Sequence, residues 1–297
     1  MQASDFSNFL TRMRDYPLDP SMTQNYLTGT LLDYLISSEG GLPKGSNYLM
    51  IGDPGTGKTT VALNMEADIH GNHPDTISLF IEAEMNALEM SPFAIRYPKI
   101  ADIPILFVGG GIEGESHTCQ TLTITLRRGF DRVYIDSLEK LSSIISYEEG
   151  WSSTKSMLWL LSLIKQHCNG VNVRKVPTTF VTIQQVTKNG TARGSNVVTH
   201  DATAVMNLRF SSLTNQYSDR FVYFSKNRRG FVNFPLFYDI ERGGNVTYDI
   251  ERYDDECDKR AIRAHAGESI IQIRGFLDDM FKTADEQKCI IRDQCRD

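Results

Sequence analysis

Tyr48-Leu-Met-Ile51-Gly52-Asp53-Pro54-Gly55-Thr56-Gly57-Lys58-Thr59-Thr60 runs from a short apolar segment, through a glycine-rich turn, into the helix-forming Val61-Ala-Leu-Asn-Met65. The turn fits G-x-x-x-x-G-K-[ST] between a strand and a helix, where that spacing has a physical purpose. Glycines let consecutive backbone N–H groups point inward as an anion nest. The helix that follows adds its positive end at the same point. Lys58 brings a charge to the β- and γ-phosphates, and the Thr59 hydroxyl can ligate Mg²⁺. Residues Gly52 to Thr60 are expected to bind a nucleoside triphosphate.

Outward from this turn, short apolar runs recur. They are Ile77–Ile81, Ile103–Val108, Arg132–Ile135, Thr178–Ile183, Ala204–Leu208, Phe221–Ser225 and Asn233–Tyr238. Segments long enough for helices, Thr59–Ile69, Ser116–Arg128 and Ser153–His167, separate the earlier ones. Continuous apolar strands are buried on both faces, and helical crossovers between parallel strands are right-handed. The expected fold is α/β, a doubly wound, mostly parallel sheet whose last strands are antiparallel. Such a sheet binds ligands beyond the carboxyl ends of its strands. Residues 1–25 read as an N-terminal segment with a short helix (Phe6 to Asp15), 26–250 as the core, and 251–297 as a charged helical tail.

Composition sets limits. The chain has 297 residues, 40% hydrophobic and 23% charged, with a formal net charge of −6. That excludes a disordered or fibrous chain and one that coats nucleic acid with its whole surface, which would be basic. The 251–297 stretch alone carries 12 acidic against 9 basic residues. No apolar run approaches a membrane span and no secretion signal opens the chain, so a cytoplasmic protein is expected. The five cysteines form no C-x-x-C pair and read as scattered reduced thiols.

Two acidic positions extend the phosphate-loop chemistry. Asp136 ends the run Arg132-Val-Tyr-Ile135, where a carboxylate can hold the Mg²⁺ shell opposite Thr59, supported by Ser137. Glu84, in Phe80-Ile-Glu-Ala-Glu84, can orient and deprotonate an attacking water. Glu82 is the rival for that role.

These parts together resemble the RecA/RadA/KaiC class of ATPases. Tyr26-Leu-Thr-Gly29-Thr-Leu-Leu-Asp33 and Gly40-Gly41-Leu-Pro-Lys-Gly45-Ser46 resemble phrases that precede the phosphate loop there. Leu79-Phe-Ile-Glu-Ala-Glu84 is similar to the segment carrying the catalytic glutamate, which favours Glu84. Thr182-Ile-Gln-Gln-Val-Thr-Lys188-Asn-Gly190-Thr-Ala-Arg-Gly194 and Lys226-Asn227-Arg228-Arg229-Gly230 resemble RadA signatures, with Arg229 where Phe is usual. The likeness spans about residues 26–240, without RadA's zinc module or protease-like domain.

The resemblance implies a role for each part. Gln185 would be a polar sensor between γ-phosphate and DNA loop. Lys188, Asn189 and Arg193 would contact DNA from the loop Val186–Thr199. A second DNA loop would follow Asp136, around Ile144 to Ser156, with Tyr147 and Trp151 for stacking and Glu148 and Glu149 opposing phosphate. Lys226 and Arg228 would reach a neighbouring subunit's nucleotide. The expected function is that of an ATP- and Mg²⁺-dependent, single-stranded-DNA-binding ATPase of recombination or repair, hydrolysing ATP between subunits of a homo-oligomer. A ring helicase or branch-migration motor and a KaiC-like regulatory ATPase without DNA binding are the alternatives.

Overall fold

The computed structural model describes residues 24–98, 101–109, 117–185, 196–212 and 219–264. The expected helix at Phe6–Asp15 and the tail beyond residue 264 lie outside them.

Nine strands form one sheet: β1 (Asn47–Gly52), β2 (Ser78–Glu82), β3 (Ile105–Phe107), β4 (Arg132–Asp136), β5 (Thr179–Gln185), β6 (Ala204–Phe210), β7 (Arg220–Asn227), β8 (Leu236–Ile240) and β9 (Val246–Tyr248). Their order is β3-β2-β4-β5-β1-β6-β7-β8-β9. The pairs from β3 to β6 are parallel, and β6–β7, β7–β8 and β8–β9 are antiparallel. The expected mostly parallel sheet with an antiparallel end is present.

The helices are α1 (Leu32–Ile36), α2 (Lys58–Asn72), α3 (Ala87–Arg96), α4 (Thr118–Arg127), α5 (Leu138–Glu149), α6 (Ser153–Cys168), α7 (Asn196–Asp201) and α8 (Ile250–Ala264). Alternation along β1 divides the core into two layers. Tyr48 and Met50 join α1, α2 and Tyr253 of α8 on one face. Leu49 and Ile51 join Leu122 of α4, Leu141 of α5, Leu160 of α6 and Val198 of α7 on the other.

Three expectations need correction. The stretch Ile144–Ser156 is not a loop: α5 runs through Glu149, and α6 begins at Ser153. Its apolar positions Leu138, Leu141 and Ile145 are buried at helical spacing. Trp151 packs edge-on against Trp159 at 6.2 Å, and the Glu148 carboxylate accepts from Thr118 N at 2.9 Å, capping α4. Helix α3 and strand β9 were not expected at all. The last expected strand starts late, at Leu236, since Asn233 adopts φ 55° and Pro235 cannot donate to a ladder.

Candidate nucleotide site

The glycine-rich turn leaves the carboxyl end of β1 between its neighbours. In register, Gly52 faces Gln185 of β5 on one side and Leu208 of β6 on the other. A side chain at Gly52 would run into the Leu208 carbonyl, which is why glycine stands there. Gly57 has φ 88°, caps α2, and lies against the Ile240 side chain. Thr56 is fully buried; its Oγ1 donates to Asp53 O at 2.8 Å, and its carbonyl accepts from Tyr238 Oη at 2.9 Å. Strand β8 thus holds the turn from the side, through Tyr238 and Ile240. Pro54 and Gly55 are exposed at the tip, and Thr60 lies in the first turn of α2.

The charged groups converge on the same point. Lys58 Nζ donates to the loop's own carbonyls, Gly52 O at 3.1 Å and Asp53 O at 3.2 Å. Burial lowers the Lys58 pKa, while the carboxylates of Asp136, Glu84 and Asp53 act against that lowering. Thr59 Oγ1 donates to Asp136 Oδ2 at 2.6 Å. Asp136 is 3% exposed, and burial pushes its pKa up to about 6 although Thr59 and Lys58 favour the charged form. Ser137, the N-cap of α5, donates to Glu84 Oε1 at 2.6 Å.

Glu82 takes a different position. It is fully buried, and its Oε1 accepts from the backbone N–H groups of Glu84 and Met85, both at 2.7 Å. Burial raises its pKa to about 7, against those two bonds. The carboxylate therefore shapes the turn bearing Glu84, while Glu84 itself is exposed and accepts from Ser137. Helix α3 follows at once, opened by a capping box in which Asn86 accepts from Glu89 N at 3.0 Å and Glu89 accepts from Asn86 N at 2.9 Å.

Lys226 and Arg228 stand elsewhere. Lys226 faces Val205 and Asn227 faces Ala204, which in turn faces Tyr48. Lys226 is therefore level with Leu49, about 10 Å along β1 from Gly52 at 3.3 Å per residue, and Arg228 lies beyond the row of Tyr48, farther from the turn. Lys226 Nζ donates to the carbonyls of Thr199 (2.8 Å) and His200 (2.7 Å), with Arg228 at 3.4 Å from the latter. Between them Asn227 Nδ2 donates to Leu35 O and Ile36 O, each at 3.0 Å, and its Oδ1 accepts from Arg229 N and Gly230 N. Lys188, Asn189 and Arg193 lie outside the described residues.

Sequence reasoning missed two parts of this site. Arg209 Nη1 meets Asp53 Oδ1 at 2.8 Å, and Tyr238 anchors the turn. Neither belongs to a motif: Arg209 stands near the end of β6 and Tyr238 in the middle of β8, and nothing local marks either.

The residues fit a nucleoside triphosphate with Mg²⁺. Gly52 and Gly57 let the turn pack closely against Leu208 and Ile240, a half-buried lysine faces loop carbonyls, and a hydroxyl–carboxylate pair offers hard oxygen donors. No family model matches the sequence, and no similar curated protein is found. Among solved structures, a KaiC-like protein from the hyperthermophilic archaeon Pyrococcus horikoshii OT3 superposes with a TM-score of 0.57 at 20% identity. The match covers 76% of this chain and 99% of that one. The fold is RecA-like: a doubly wound α/β sheet extended by antiparallel strands. Among the described residues no helix is long and apolar enough to cross a membrane.

Proposed function

We propose that the chain is a Mg²⁺-dependent ATPase that works as a homo-oligomer on single-stranded DNA. The observation that carries it is the convergence of Lys58, Thr59–Asp136 and Ser137–Glu84 on one phosphate loop. Bound Mg²⁺ supplies charge neutralisation to the phosphates, and Thr59 and Asp136 are the oxygen donors that would hold it. The loop amides and Lys58 bind and orient the triphosphate. Glu84, steadied by Ser137, receives the proton of the attacking water. Gln185, in register with Gly52, senses the γ-phosphate and passes its loss to the DNA-contacting loop; that register supports the reading. Lys226 and Arg228 lie too far from their own loop to serve it, and complete a neighbour's site instead. Lys188, Asn189 and Arg193 contact the DNA backbone.

A KaiC-like regulatory ATPase without DNA binding is the second reading, favoured by the solved structure that shares the fold. ATP turnover with and without single-stranded DNA at low salt separates the two. Stimulation by DNA is expected. Turnover indifferent to DNA favours the regulatory protein. In the same assay Lys58→Ala should be inactive, and Lys226→Ala should regain activity when mixed with Lys58→Ala. A Lys226→Ala chain that turns over normally at every concentration rules out the cross-subunit role.

A further inference from the structure

The phosphate loop carries a carboxylate where an anion is to bind. Asp53 follows Gly52 directly, and its side chain is only 15% exposed. An unpaired carboxylate beside an anion nest repels phosphate and competes for Lys58, and poor access to solvent leaves that repulsion weakly screened. The structure resolves the conflict from another strand. Arg209 of β6, 16% exposed, places Nη1 2.8 Å from Asp53 Oδ1. The sheet register fixes the approach, because Leu208, the preceding residue, faces Gly52 and its carbonyl accepts from Asp53 N at 3.3 Å. Asp53 is also the residue whose carbonyl takes both Lys58 Nζ and Thr56 Oγ1. A single residue is thus gripped through N–H, carbonyl and carboxylate, and Arg209 holds the carboxylate.

We propose that Arg209 is a positioning residue of the nucleotide site: it neutralises Asp53 and turns its carboxylate away, so that the first turn of the loop presents amides rather than a negative charge to phosphate. The inference rests on the nucleotide-binding reading above and adds a component from outside the loop. The pair is internal to one chain, so its effect on binding is independent of assembly.

The test is a double-mutant cycle read by equilibrium binding of Mg²⁺–ATP, Mg²⁺–ADP and adenosine to the full chain, with the thermal midpoint of each apo protein as a folding control. Arg209→Ala and the milder Arg209→Gln leave Asp53 uncompensated. They should weaken ATP binding roughly tenfold to a hundredfold, the range for a half-buried pair losing one member. ADP should lose less, and adenosine nothing. Adding Asp53→Asn to Arg209→Ala should recover most of the lost ATP affinity, which a loss of packing at Arg209 would not allow. Unchanged ATP affinity in both Arg209 variants overturns the inference, as does a loss that Asp53→Asn fails to recover or that is equal for adenosine. If the wild-type chain binds no nucleotide, the nucleotide reading itself has failed. If the wild type binds nucleotide and both Arg209 variants bind it equally well, only the role of Arg209 has.

Discussion

Thr59 Oγ1 and Asp136 Oδ2 are 2.6 Å apart, joining the first turn of α2 to the end of β4 through the two groups expected to share a magnesium ion. The pair holds a stability cost. Burial pushes the Asp136 pKa up to about 6, so the folded chain takes up a proton that the unfolded chain at the same pH does not. For a raised carboxyl, the stabilisation is fully present below the ordinary carboxylate range and is lost as pH rises through about 6. At pH 8 the charged, buried carboxylate therefore costs on the order of 2–3 kcal/mol. Asp136→Asn should raise the apo thermal midpoint at pH 8 by several degrees, with the gain vanishing near pH 4, while Mg²⁺-dependent turnover is lost. A gain of equal size at both pH values would show that burial of charge is not its source.

Tyr238 reaches the loop from β8, donating to the Thr56 carbonyl at 2.9 Å. Tyr238→Phe keeps the ring and leaves that carbonyl, on a fully buried residue, without its partner. The expected cost is about 1–2 kcal/mol of stability. Nucleotide affinity should fall several-fold, because the middle of the loop loses its lateral support. Denaturant titration and nucleotide binding on the same preparation check both. Gly57→Ala should be far worse for binding, since it forces a Cβ onto a residue at φ 88° and against Ile240.

Asn227 lies between the two cations assigned to a neighbour, and its contacts are structural. It closes the end of α1 through Leu35 O and Ile36 O while folding the turn at Arg229 and Gly230. Asn227→Ala should cost about 2–3 kcal/mol, since four backbone groups lose one shared partner. Lys226→Ala should cost less and act on turnover. Thermal denaturation and turnover measured on both variants separate the roles; equal destabilisation by the two would assign Lys226 to the fold as well.

Much of this architecture was legible because apolar continuity and the glycine spacing are local signals. Tyr48–Ile51 reads as a strand buried on both faces and is one. The converging set Lys58, Thr59 and Asp136 follows from a single motif and one strand end. What stayed hidden depends on distance or on exposure. Arg209 meets Asp53 across 156 positions of chain, and a lone arginine ending a strand carries no mark of that. Helix α3 carries Pro92 in its interior and leaves Leu88 and Ile95 exposed, which masks the inward positions Met90 and Phe93. Helix α5 does show one, in Leu138, Leu141 and Ile145, but expecting a DNA loop from the resemblance overrode it. Asp33 illustrates a phrase whose purpose appears only in three dimensions: its carboxylate accepts from Thr28 N, Thr28 Oγ1 and Gly29 N, all within 2.9 Å.

The start of β4 is held as firmly as its end. Arg132 is fully buried, with Nε 2.7 Å and Nη2 2.8 Å from the two oxygens of Glu66 on α2. Nη1 donates to Thr76 Oγ1 at 2.8 Å, Ser78 Oγ donates to Glu66 Oε1 at 2.8 Å, and the guanidinium stands 4.8 Å from the Tyr26 ring. A buried pair of this kind gains little over apolar neighbours, because desolvation offsets attraction, but removing one member strands the other. Arg132→Ala should cost about 3–5 kcal/mol by leaving the Glu66 carboxylate buried without its cation, held by the Ser78 hydroxyl. The double variant Glu66→Leu/Arg132→Met should recover most of the stability by replacing the pair with packed apolar atoms. Asp136 lies four residues along the same strand, so Arg132→Ala should also raise the Mg²⁺ concentration needed for turnover, by shifting the strand that delivers the carboxylate. Urea denaturation and a Mg²⁺ titration of activity give the answer. A double variant no more stable than Arg132→Ala would mean that the strand depends on this ion pair itself and not on filled volume.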